Sequence, residues 1–126
     1  MKIAVPSEIP GGLDSKMCEH FGICPLFTII TLTNGEISDV RIEDNGHHQC
    51  GNCIRLVEDL SLKDISCVIT RKIGMYPLNV LKNHSISAVH AEKKCTVSRA
   101  VELFMANRLA AYAGNAVCHG ECECEC

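Results

Sequence analysis

Apolar residues in this chain come in short runs whose period changes along its length. Lys2 to Val5 is an apolar stretch ended by Pro6, which predicts a first buried strand. A long polar loop follows. Phe27 to Leu32 and Ile37 to Ile42 are β-branched runs joined through Asn34-Gly35, a dipeptide that supplies the positive φ values of a tight hairpin turn. The period then becomes helical. Asn52 stands as a cap before Cys53, Leu56, Val57 and Leu60, which recur at i, i+3, i+4 and i+7. Cys67 to Thr70 predicts a strand, Pro77 opens a helix through Leu81, and Ile86 to Ala91 predicts another strand. Thr96 caps a last helix whose inward stripe runs through Val97, Ala100, Val101, Phe104 and Met105. The expected order is βββαβαβα.

A leading hairpin cannot be parallel throughout, whereas the later strand–helix–strand steps need right-handed parallel crossovers. An α/β architecture satisfies both: a mixed five-stranded sheet with helices on both faces. The first, third, fourth and fifth strands then end on one edge, where open α/β sheets bind ligands. The segments leaving that edge are Pro6 to Gly22, Asp44 to Asn52, Arg71 to Tyr76 and Glu92 to Cys95. They carry His20, His47, His48, Cys50, Arg71, Lys72, Lys94 and Cys95.

Composition narrows the function. With 126 residues, 47% of them hydrophobic, the chain can build one compact domain, expected over residues 1–112, and a tail over 113–126. The net charge is −3 and the twelve Lys and Arg are scattered, which argues against nucleic acid as the principal partner. The apolar start before Pro6 and Glu8 is far too short for a signal peptide or a membrane span, so no membrane association is expected and the chain is placed in the cytoplasm. Thiols stay reduced there, and the ten cysteines are expected to be ligands, redox groups or core residues rather than a disulfide framework.

Two of the cysteine clusters point to metal. The chain ends in CHGECECEC, which places Cys118, His119, Cys122, Cys124 and Cys126 among Glu121, Glu123 and Glu125, a stretch too polar to bury anything. Thiolate is the soft ligand of zinc, copper(I) and iron–sulfur clusters. The second cluster, HHQCGNC at His47 to Cys53, offers His48, Cys50 and Cys53 as ligands beside a helix N-terminus that favours thiolate. Cys53 also shares the helical face of Leu56, Val57 and Leu60, so a core role competes with ligation. Cys67, within a strand covered on both faces, is expected to fill core, while Cys18, Cys24 and Cys95 lie near the ligand edge. Arg71, Lys72 and Lys94 on that edge suit a ligand with net negative charge. Catalytic residues are not expected. The strands lack the converging carboxylates of two-metal hydrolysis, and no phosphate-binding glycine loop or Ser–His–Asp arrangement is visible.

Three motifs resemble a known family. His20-Phe21-Gly22, Ile73-Gly74 followed by Pro77-Leu78 and Leu81, and the segment TVSRAVELF from Thr96 to Phe104 are similar to the dinitrogenase iron–molybdenum cofactor biosynthesis family, the group of small NifX-like proteins and of the domain appended to NifB. The resemblance spans roughly residues 1 to 110 in order and spacing. It implies a ribonuclease H-like three-layer fold and the binding or carriage of metal clusters, with the family's motif histidine falling on His20. It also implies partner proteins that donate and accept the cluster. The tail lies beyond the family pattern, and Arg71-Lys72 stand where relatives often have small residues.

The expected activity is therefore non-enzymatic carriage or scaffolding of an iron–sulfur cluster, or of a precursor like that of the iron–molybdenum cofactor. His20, Arg71, Lys72 and Lys94 would hold the cluster's charge, and His48, Cys50, Cys53 and the tail ligands its metal. The alternative is a zinc or copper(I) thiolate buffer acting through the tail, since C-x-C spacing suits compact metal–thiolate cages. The residues leave open whether metal also joins two copies of the chain.

Overall fold

The computed structural model describes residues 1–22, 24–45, 53–91 and 94–111, with the backbone alone at residues 53, 54, 110 and 111. Its elements in chain order are β1 (Lys2–Ser7), β2 (Leu26–Thr33), β3 (Glu36–Asp44), α1 (Cys53–Leu62), β4 (Cys67–Thr70), α2 (Met75–Asn83), β5 (Ser87–His90), α3 (Val97–Met105) and β6 (Ala110–Ala111). They form one mixed sheet in the order β3-β2-β1-β4-β5-β6. All five expected strands are present. A sixth, β6, adds antiparallel to β5 through Val89↔Ala111 and His90↔Ala110. Two alanines carry no period that could announce a strand.

The hairpin forms where its turn chemistry puts it, with Asn34 at φ 53 and Gly35 at φ 79. β1 pairs antiparallel with β2 and parallel with β4, and β4 pairs parallel with β5. β1, β3, β4 and β5 consequently end on one edge, as the alternation of strands requires. β1 continues through Pro6, two residues further than its apolar run. The β1–β4 ladder stops at Ala4↔Val68, so Pro6 lies beyond the bonds its missing N–H would have broken.

Strand alternation sends side chains to two cores. Ala4, Phe27, Ile29 and Val68 face α1 and α2, which contribute Leu56, Val57, Leu60, Leu78 and Leu81. Ile3, Val5, Ile30, Cys67 and Ile69 face α3, which contributes Val97, Ala100 and Val101. Helices thus cover both faces. Two helical expectations need correction. α2 begins at Met75 with Gly74 as its cap residue, so Pro77 sits in the first turn rather than at its start, where its missing N–H is equally harmless. Met105, the last residue of α3, remains 40% exposed and does not join the inward stripe. Thr96 caps α3 as expected, its hydroxyl accepting from the Arg99 N–H at 3.2 Å. Asn52, the expected cap of α1, lies outside the described residues, as does the whole segment 112–126. Among the described residues no helix is long and apolar enough to cross a membrane.

Candidate functional site

The segment after β1 is laid across the strand ends and tied to β1, β2, the residues just after β4 and the start of α3. Glu8 to Gly12 turns sharply, and Gly11 at φ 85 packs so closely that a Cβ there would come within 2.8 Å of Leu26 Cδ1. The Gly12 N–H donates to Thr28 Oγ1 at 3.0 Å, Thr28 and Ser7 hydroxyls meet at 2.8 Å, and the Ser7 hydroxyl donates to the Val5 carbonyl at 2.7 Å. That relay satisfies every buried hydroxyl in it. The chain then returns: Met17 N–H donates to Cys95 O, Cys18 N–H to Pro6 O, and Val97 N–H to Ser15 O. Met17 is fully buried against the α3 core.

The His20-Phe21-Gly22 motif divides its work between core and rim. Phe21 is fully buried and meets Phe27 edge-on, with ring centroids 5.7 Å apart. Its N–H donates to Lys72 O at 3.0 Å, while the Lys72 N–H donates to Glu19 O at 3.0 Å. These two bonds set His20 opposite Lys72 in parallel register. Ile73 is buried behind them and Gly74 is the cap residue of α2, which accounts for the Ile73-Gly74 pair. On the other flank, buried Asn45 donates through Nδ2 to Cys24 O at 2.8 Å and fixes the end of β3 to the same loop.

The structure therefore brings His20, Arg71, Lys72 and Lys94 to one edge, as expected. It also brings an acid that the sequence did not single out. Glu19 Oε1 lies 3.2 Å from Lys72 Nζ and 3.7 Å from Arg71 Nη1. The hydrogen bond from Lys72 holds the Glu19 carboxyl below its ordinary range, and the charges of Lys72, Arg71 and His20 act in the same direction. Glu8 pairs with Lys94 and pushes the ammonium upward, with Glu19 adding to that effect. The only sequence signal for either acid is its place in a loop leaving the ligand edge.

The described cysteines separate into two kinds. Cys24 is buried and its thiol donates to Phe21 O at 3.4 Å; burial pushes it up to about 12. Cys67 fills core, as its strand position predicts, and burial pushes it to about 11. Both are protonated at neutral pH and serve as packing groups. Cys18 and Cys95 are only half-buried. Burial raises the Cys18 thiol, opposed by hydrogen bonds from the His20 and Glu19 backbones, and it raises Cys95, opposed by Arg99 and Arg71. Among the described residues no three His, Cys, Asp or Glu side chains converge as a metal site. Of the expected metal ligands, His48, Cys50, Cys118, His119, Cys122, Cys124 and Cys126 lie outside the described residues, and Cys53 is placed only as the first residue of α1.

Residues 1–107 match the sequence pattern of the family described as dinitrogenase iron-molybdenum cofactor. The uncharacterized protein MJ0580 of Methanocaldococcus jannaschii is 27% identical over 114 residues, covering 86% of this chain and 89% of its own length. The apo form of the orange protein from Desulfovibrio gigas superimposes with a TM-score of 0.80 at 24% identity, over 90% of this chain and 93% of that one. A likeness at that identity speaks to the fold.

Proposed function

This chain belongs to the dinitrogenase iron–molybdenum cofactor family, and from that membership we propose that it binds and carries an anionic metal–sulfur cluster rather than catalysing a reaction. The observation that carries this reading is the placement of Arg71, Lys72 and Lys94 around His20, the family's motif histidine, on the edge where four strands end. A cluster of sulfides and thiolates is negatively charged, and fixed cations at its mouth lower the cost of holding it. Thiolate and imidazole ligands come from His48, Cys50 and Cys53 in the segment leaving β3, and from Cys118, His119, Cys122, Cys124 and Cys126 in a tail appended to the domain of residues 1–112. A ribonuclease H-like three-layer fold is supported by the order β3-β2-β1-β4-β5, with β2 alone reversed among those strands. The partners are proteins that supply and accept the cluster, in a reducing compartment such as the cytoplasm.

Anaerobic loading with iron and sulfide, followed by visible spectroscopy and analysis for metal and acid-labile sulfide, tests the proposal. The full chain should bind both. Cys50→Ala, and a chain truncated after Val117, should bind less or give an altered spectrum. A colourless protein with stoichiometric zinc or copper and no sulfide would replace cluster carriage with thiolate buffering.

A further inference from the structure

Of the four groups assigned to the charge of the ligand, two pair with one carboxylate, Glu19, and a third, Lys94, pairs with another, Glu8. Lys72 and Arg71 contact Glu19 directly, His20 acts on it through its charge, and Lys94 responds to it in turn. We infer that Glu19 is a built-in counter-ion that occupies the anion site until an anionic ligand displaces it, and that Glu8 holds Lys94 in the same way. This rests on the reading of that edge as an anion site and adds how the site is kept and what it selects.

The geometry separates the removable part of Glu19 from the fixed part. Its carbonyl accepts from the Lys72 N–H, and the next bond, Phe21 N–H to Lys72 O, is anchored by a buried ring. The backbone is thereby held whatever the side chain does. The Glu19 side chain is 46% exposed and that of Lys72 49%, so an incoming anion reaches both. Ion pairs this exposed are weak and exchange readily. They still matter to the protein by itself, because adjacent cations repel one another unless a counter-ion intervenes.

A resident monovalent carboxylate also sets a threshold. A singly charged anion gains no more from Lys72 and Arg71 than Glu19 already does, so it displaces nothing. A multiply charged ligand gains more from each cation and wins the exchange. Glu19 thus confines the site to polyanions without contacting them in the bound state.

Pyrophosphate is a suitable probe, followed through the amide shifts of Phe21 and Lys72 in the full-length protein at fixed salt. Glu19→Gln should bind it about threefold to tenfold more tightly than wild type, and Glu8→Gln about twofold, because each removes a competing ion pair of ordinary surface strength. Glu102→Gln supplies the control. It removes the same charge from the exposed Arg99–Glu102 pair on α3. Equal gains from Glu19→Gln and Glu102→Gln would reduce the effect to net charge and overturn the inference. So would weaker binding by Glu19→Gln, or no binding by either protein. Loading the same variants with iron and sulfide keeps the two ideas apart. A cluster that forms normally while pyrophosphate affinity ignores Glu19 sinks only the counter-ion role, and a Glu19-dependent pyrophosphate site in a protein that takes up no cluster sinks only the carriage.

Discussion

Residues 8–22 and residues 36–44 are both charged, glycine- or serine-containing stretches, yet the fold treats them oppositely. The first has only isolated bridges, and its backbone is bonded to β1, to Lys72 just beyond β4, to the start of α3 and to its own return. Met17 and Phe21 anchor it from either side of the sheet. The second is a regular nine-residue strand, β3, at the outer end of the sheet order, with Ile37 and Ile42 left exposed. Regular structure and rigidity are separate properties. A ligand edge needs side chains held in place, and here that is achieved by single buried anchors and cross-segment hydrogen bonds rather than by a repeating pattern.

The strongest way to break the contrast is Phe21→Ala. The ring is fully buried against Phe27 and sits between the two backbone bonds that register His20 on Lys72. Truncating a buried Phe costs about 3–5 kcal/mol through lost transfer energy and the cavity left behind. Denaturant unfolding should show that loss, and the amides of residue 21 and Lys72, which donate those two bonds, should lose their protection from exchange. A loss below about 1 kcal/mol would mean that the loop is held by its hydrogen bonds alone.

Cys67→Ala sharpens the contrast from inside the sheet. The side chain belongs to the α3 core and makes no rim contact, so its removal should cost about 1–3 kcal/mol without changing bound metal. Alkylation at pH 8 offers an independent reading. With Cys24 and Cys67 pushed up to about 12 and about 11, both should stay unlabelled in the native protein, whereas Cys18 and Cys95 react, as the more accessible of these four thiols. Labelling of Cys67 at the rate of Cys95 would contradict its burial.

What the sequence disclosed follows the same division. Periodic signals gave the hairpin, α3 with its Thr96 cap, and the edge on which four strands end, because each depends on local turn chemistry or on a repeating apolar face. Cys67 could be placed in the core from its strand neighbours alone. Glu19 and Glu8 escaped notice, since an ion pair between segments 53 or 86 positions apart leaves no trace in local spacing. Met17 escaped for a related reason: it reaches the α3 core from a loop held by an isolated bridge to Ser7 and a backbone bond to Cys95, not from a run of apolar residues. β6 is two alanines recruited by β5, visible only once β5 has an open side.

The smallest effect should come from the other half of the comparison, in Arg41→Ala on β3. Arg41 donates through Nε to Asp39 Oδ2 at 3.0 Å, with the two side chains 73% and 49% exposed. Partners two apart on a strand share a face, so the bond forms without any tertiary constraint and is rebuilt as readily in solvent. Exposed pairs of this kind contribute between nothing and about 1 kcal/mol, and the change should stay within about 0.5 kcal/mol by denaturant unfolding. Added salt should leave the difference between variant and wild type nearly unchanged, since little Coulombic energy is there to screen. A loss comparable to that of Cys67→Ala would show that the outer face of β3 is covered in solution, and that its regular but exposed strand is as constrained as the loop it was compared with.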